Sequence, residues 1–486
     1  MRSQQQSYPK KEAAYVRQRI LLVVMTGLAL LVPVTAASAS SSQYTTVEAP
    51  SELLNGNPGP ALDEIEGLGA EAIRLLVTWR SVAPDPDART MPSFNATDPA
   101  AYPEANWGVY DTAITSARAR GIRVHLTITG PAPDWATPAK RDGLTKPNAS
   151  EFGRFATAVG RRYGRQVAVW SIWNEPNLGK LLKPIAKNQS AKVYRELYLK
   201  SYAGLRTAGV RAPIVLGELA PNGNSLKDQG TIKPLVFLRE MLCLNKNYKP
   251  VKVKGRKCAK VATQGVAIHP YANRAGPFLK PPADNVTIGV LDRITTAVDK
   301  AAKAGAITGG RLPIYVTEFG VQSLPDRRLG VSLAKQSDFR SIAERIAYLN
   351  PRVKAFSQYL LRDDPGTGFE YGAFESGLYL YKGRKAKPAL EGFRLPLVVV
   401  PSRSSKRATL WGLVRPARTA KKAGSVTLEY ADKGRGWRKL ATQRFSRSGY
   451  WKRTVNTKAG RAFRVIWTAP DGTKHTGPKT VAHTRP

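Results

Sequence analysis

Between residues 44 and 361, short apolar runs alternate with longer stretches in which apolar residues recur every three or four positions. The runs fall at 44–48, 72–79, 122–129, 167–173, 213–217, 265–269, 313–317 and 353–361. Most are rich in β-branched and aromatic residues without polar alternation, as in strands covered on both faces. The stretches at 61–68, 107–120, 151–163, 191–207, 232–242, 287–304 and 333–349 read as amphipathic helices. Strand and helix alternating in this order predict a parallel sheet with right-handed crossovers, closed as a (β/α)8 TIM barrel over 40–393. From about Leu395 the helical period disappears. Strands are predicted at 408–414, 425–430, 438–444, 450–455 and 463–468, with turn signals such as Gly434-Arg435-Gly436 and Asp471-Gly472 between them. That spacing predicts a small Ig-like β-sandwich over 398–486, so the fold class is an α/β barrel followed by a C-terminal β domain.

The segment before the first strand changes the picture of location. Lys10, Lys11, Arg17 and Arg19 precede an apolar run at 20–34, and Ala37-Ser38-Ala39 has the form of a cleavage site. The run contains Pro33 and is shorter than the roughly 20 residues a membrane span needs. Residues 1–39 are therefore expected to be a signal peptide, and the mature protein to be secreted or associated with the cell envelope, with no membrane span. Cys243 and Cys258 are the two cysteines of the chain, and in an oxidising compartment they are expected to pair. Without nearby histidines they do not make a zinc site, and no metal is expected.

Charge adds a question about partners. Lys and Arg number 76 against 35 Asp and Glu, a formal net charge of +41. Such a field attracts polyanions. No basic helix with nucleic-acid motif spacing appears, so no nucleic-acid partner is expected. Residues 401–486 are the most lopsided part, with 21 basic residues against 3 acids. Two readings stay open for this tail: a stabilising or spacing domain, or a surface for an anionic cell-envelope polymer.

The candidate chemistry lies at strand ends. Val167-Ala168-Val169-Trp170-Ser171-Ile172-Trp173 is followed by Asn174-Glu175-Pro176-Asn177, so an apolar strand delivers an amide and a carboxylate to a loop. Barrel active sites are built at the carboxyl ends of strands. Three strands later Ile314-Tyr315-Val316-Thr317 is followed by Glu318-Phe319-Gly320. This pair resembles the fourth and seventh strands of the cellulase and β-xylosidase superfamily of retaining glycoside hydrolases. The resemblance covers about residues 44–393. It implies a (β/α)8 barrel with Glu175 as acid/base and Glu318 as nucleophile, acting on a β-linked carbohydrate without a cofactor. In that chemistry one carboxyl must carry a proton to the leaving oxygen and the other must be ionised to attack the anomeric carbon.

The resemblance also implies an arginine beside the nucleophile (Arg74), a contact to the sugar 2-hydroxyl (Asn174), and a His-x-Tyr pair after the sixth strand (His269 and Tyr271). Tyr271 would donate to Glu318. Trp79, Trp135, Trp173, Tyr359, Phe369 and Tyr371 lie at or after strand ends and are candidate platforms for sugar rings. Phe356-Ser357-Gln358-Tyr359-Leu360 departs from the family, which places a tryptophan at the end of strand eight; Tyr359 is the substitute. The basic composition favours an acidic carbohydrate. A catalytically inactive glycan-binding or envelope protein on the same scaffold is the alternative.

Overall fold

The computed structural model describes residues 40, 42–224, 230–253, 255–364 and 374–483. The signal-peptide reading of 1–39, and Phe369 and Tyr371, lie outside them. Eight parallel strands close into a barrel in chain order: β1 (Tyr44–Glu48), β2 (Ala72–Thr78), β3 (Arg123–Thr129), β4 (Val167–Ile172), β5 (Ile214–Leu219), β6 (Val266–Ile268), β7 (Ile314–Val316) and β8 (Val353–Tyr359). Around it run α1 (Gly59–Gly67), α2 (Gly108–Ala119), α3 (Ala149–Tyr163), α4 (Gln189–Thr207), α5 (Pro234–Met241), α6 (Asp292–Lys303), α7 (Leu333–Leu349) and α8 (Pro388–Arg394). Closure rests mainly on β8, which pairs with all of β1 from Tyr44↔Ala355 to Glu48↔Tyr359. The β1–β2 ladder holds only two pairs, Thr46↔Ala72 and Val47↔Ile73.

Alternation along the strands sorts the interior into layers. Tyr44, Ala72, Val169, Val215, Ala267, Tyr315 and Ala355 form one apolar cluster. Two residues further on, the same strand faces carry Thr46, Arg74, Ser171, His269, Thr317 and Ser357, all buried. The barrel thus turns from apolar to polar toward the carboxyl ends of its strands. Outside, α3 is capped by Asn148, whose side-chain oxygen accepts from the Ser150 and Glu151 N–H groups. It packs closely on α4 because Gly153 and Gly204 face each other; a Cβ on Gly204 would strike the Gly153 carbonyl.

The tail forms two antiparallel sheets. One is β9 (Leu397–Pro401), β10 (Arg407–Leu413) and β13 (Tyr450–Asn456); the other joins β12 (Arg438–Phe445), β11 (Gly424–Ala431), β14 (Ala462–Thr468) and β15 (Lys474–Thr476), with β16 (Thr480–Val481) also on β14. Leu410, Trp451, Val426, Phe463 and Val465 belong to the core between them. Strand β9 was not expected: Leu397-Val398-Val399-Val400 follows α8 almost directly and shows no alternation to set it apart. The three-stranded sheet also packs on the barrel. Val398, Trp411, Leu413 and Tyr450 join Ile342 of α7 in one cluster, and the Tyr348 and Tyr450 rings lie 4.3 Å apart. Barrel and sandwich form one compact unit.

A buried ion cluster ties them. Arg415, just after β10, makes two hydrogen bonds to Glu344 of α7 at 2.6 and 2.7 Å. It also donates to the Phe393 carbonyl and to Thr45 of β1. Arg340 holds the other side of Glu344. Burial alone would raise the Glu344 carboxyl, but the two guanidinium groups outweigh it and bring it to about 2. A folded-state value depressed from 4.5 contributes stability that is present above about pH 4.5 and lost as pH falls toward 2. We expect Glu344→Gln to cost about 3 kcal/mol more at neutral pH than near pH 2, read from urea midpoints across that range.

Cys243 and Cys258 form a disulfide closing a loop of 15 residues, worth about 3 kcal/mol in the chain-entropy model. Among the described residues no helix is long and apolar enough to cross a membrane.

Candidate active site at the carboxyl end of the barrel

Where β4 ends the backbone turns sharply. Trp173 and Glu175 have φ of 65° and 42°, in the left-handed region that costs a non-glycine residue about 1–2 kcal/mol. The Trp173 N–H donates to the Ile128 carbonyl at 2.7 Å and the Glu175 N–H to the Glu218 carbonyl at 3.0 Å, which hold the turn. It places the Trp173 ring against Phe152 of α3 and beside Gly130, where a Cβ would collide with the indole. It leaves the Glu175 carboxylate facing the pocket, with 15% of its side chain exposed.

Glu318 follows β7 on the opposite side. Phe319 stacks beneath Tyr271, and the Tyr271 hydroxyl donates to Glu318 Oε2 at 2.9 Å. Gly320 lets strand β8 close over this turn, since a Cβ there would strike the Tyr359 carbonyl. His269 stands between the acids: its Nδ1 lies 3.1 Å from Glu175 Oε1 and 3.4 Å from Glu318 Oε2. The three ligand-type atoms of Glu175, His269 and Glu318 all lie within 4.8 Å of one another. Burial alone would lower the His269 pKa, but the charge of Glu318 and the hydrogen bond from Glu175 outweigh it and raise it. This is also the grouping among the described residues with the spacing to hold a metal ion. The Arg74 cation on Glu318 opposes a second positive charge there.

Arg74, on β2, is buried and every N–H it has is used. Nε and Nη2 bind Glu218 at 3.1 and 2.5 Å, and Nη2 also donates to Asn174 Oδ1 at 2.8 Å. Nη1 reaches Glu48 at 2.7 Å and Glu318 at 2.8 Å. The sequence placed Arg74 beside Glu318, and with five donors bound to protein groups it is a positioning residue. Two of its partners were not anticipated. Glu218 is the extra residue of a bulge, where the β5–β6 ladder slips between Gly217 and Leu219, with φ of 53°. Burial would raise its carboxyl, but Arg74 overrides this and holds it low. Glu48, at the end of β1, is raised well above the carboxylate range by burial, beyond what Arg74 offsets. His125 lies 3.8 Å from Glu218 and is kept neutral by burial, at about 4.

A cavity of about 310 Å³ opens on this cluster, with Glu48, Arg74, Asn174, Glu175, Glu318 and Tyr359 in its wall. Tyr359 meets Tyr271 edge-on at 6.3 Å. The other tryptophan candidates are corrected by burial. Trp79 is 1% exposed and lies among Trp135, Phe152 and Phe155, because the chain turns helical at Trp79–Val82 and swings the ring out toward α3. Trp135 and Trp173 are likewise interior.

The (β/α)8 barrel is a fold that this chain shares with solved glycoside hydrolases. A family 39 glycoside hydrolase from Bacteroides cellulosilyticus WH2 superposes with a TM-score of 0.51 at 15% identity, over 87% of this chain and 80% of that one. The GH39 enzyme of Xanthomonas axonopodis pv. citri gives 0.51 at 14% identity, over 88% and 94%. A glucosidase from Croceicoccus marinus gives 0.50 at 12%, over 88% and 97%. No family model matches the chain, and no curated protein does.

Proposed function

We propose that this chain is an exported glycoside hydrolase that cleaves β-linked oligo- or polysaccharides with retention of configuration. The observation that carries the reading is the approach of Glu175 and Glu318, with carboxylate oxygens within 4.8 Å across one cavity. Retaining enzymes hold their two carboxyl groups about 5–5.5 Å apart, close enough for one to attack the anomeric carbon while the other protonates the leaving oxygen. Glu318, oriented by Arg74 and Tyr271, forms the bond to the anomeric carbon as the glycosidic C–O bond breaks, and the proton of Glu175 goes to the departing oxygen. Glu175 then takes a proton from water, which displaces Glu318 and regenerates both groups. Asn174, fixed by Arg74, contacts the 2-hydroxyl, and Tyr359 offers a ring face to the sugar. The excess of cations supports an acidic carbohydrate or an anionic envelope polymer as partner of the C-terminal sheets. Hydrolysis of a panel of aryl β-glycosides, with the first product observed by NMR, tests the reading. We expect the β anomer to appear first; an α first product would reject retention, and no turnover across the panel would reject the activity.

A further inference from the structure

A second cavity, of about 420 Å³, opens between the loop after β1 and the loop after β8. Pro50 stands in the wall of both cavities, so the two adjoin at the same end of the barrel. Tyr381 lines the second one and is 52% exposed, the most exposed large apolar side chain among the described residues. With Trp79, Trp135 and Trp173 interior, it is the aromatic face this region offers to a ligand.

The opposite character comes from Arg362. Its side chain is 9% exposed, and Nη2 binds Glu64 at 2.5 Å with Nε 3.4 Å from Glu52. Its guanidinium lies over the Tyr379 ring, 4.9 Å from the centroid, and its Nη1 is buried without a hydrogen-bond partner. Exposed Asn57 and half-buried Asp364 add groups able to meet hydroxyls. Acids outnumber cations: Glu52, Glu64, Asp363 and Asp364 stand against Arg362, Arg384 and Lys387. An anionic sugar would find no surplus of cations here.

We propose that this cavity is a second sugar subsite, holding a neutral unit of an oligosaccharide with its apolar face on Tyr381 and its hydroxyls on Asn57 and Asp364. The proposal rests on the glycosidase reading for the position of the scissile bond, between Glu175 and Glu318 in the adjoining cavity. The substrate is then a chain in which the sugar beside the reacting unit contributes to recognition.

Calorimetry on the full chain carrying Glu175→Gln, titrated with gluco-, xylo- and manno-oligosaccharides of increasing length, tests this. We expect affinity for a neutral series to rise at least tenfold once a unit reaches the second cavity, and Tyr381→Ala to remove about tenfold of that gain. Asn57→Ala, also on the surface, should reduce the gain less. Affinity independent of length, or a gain that survives Tyr381→Ala, overturns the subsite. A gain confined to β-linked oligoglucuronides, titrated beside the neutral series, overturns its neutral character. The two readings fail separately: aryl monoglycoside hydrolysis by the wild type with flat length dependence removes the subsite alone. Length-dependent, Tyr381-dependent binding without any hydrolysis keeps the subsite and removes the catalytic reading.

Discussion

Glu318→Ala is expected to lower turnover of every active aryl β-glycoside by about 10⁴-fold or more, some 5.5 kcal/mol of transition-state stabilisation. No other described carboxylate is placed to substitute for it. Glu48 is buried and bound to Arg74, and Glu218 is fully buried and bound bidentately to Arg74. Because the deletion leaves a space beside Arg74 and Tyr271, a small anion such as azide should restore part of the rate and give a glycosyl azide of inverted configuration. Glu175→Gln should behave differently. An acid is needed most when the departing group is a poor one, so the loss should be about 10²- to 10⁴-fold for alkyl or weakly activated aryl glycosides and much smaller for a dinitrophenyl glycoside. The contrast separates the roles. A leaving-group dependence that appears in the Glu318 variant instead would exchange the assignments, and equal rates in both variants and the wild type would remove them.

The legible part of this molecule is the part where one strand face or one strand end states its own use. β4 and β7 are apolar to their last residues and then deliver Glu175 and Glu318, so a local reading finds both. His269 and Tyr271 follow from the same logic after β6. The residues that escaped notice are those whose role is set by a neighbour. Glu218 lies beyond the expected end of β5, and only the slip of that strand against β6 turns it inward to Arg74. Glu48 looks like any acid at a strand terminus until closure against β8 buries it opposite the same guanidinium. Trp79 shows the converse error. Its place at the end of β2 suggested a platform, but a strand end does not tell on which side of the barrel wall a ring falls, and the helical turn there sends it outward. Arg415 reads as one more cation of a basic tail, and only the packing of the three-stranded sheet on α7 makes it a bridge to Glu344.

Arg74→Met is expected to cost about 3–5 kcal/mol of folding stability, because it removes the one cation from a buried group of three acids. Arg74 lies 2.5 Å from Glu218, 2.7 Å from Glu48 and 2.8 Å from Glu318, each through a separate N–H. Methionine fills the volume but leaves Glu218 with only Thr127 as a neutral donor, at 3.1 and 3.2 Å. The pH dependence gives the test its sign. Arg74 holds the Glu218 carboxyl below 4.5, so the stability it contributes is present above that value and lost as pH falls. The gap between wild type and Arg74→Met in urea unfolding should therefore be widest near neutrality and narrow in acid. Arg74→Lys keeps a point charge but cannot bind Glu218 through two nitrogens while reaching Glu48, Glu318 and Asn174. It should fold with a smaller loss and still lower kcat by about 10²-fold, with KM little changed, because the displaced group is the nucleophile's orienting contact and not a sugar contact. A Lys variant whose defect lies in KM alone would give Arg74 a sugar-binding role, and a Met variant as stable as wild type at neutral pH would show that the buried acids do not depend on its charge.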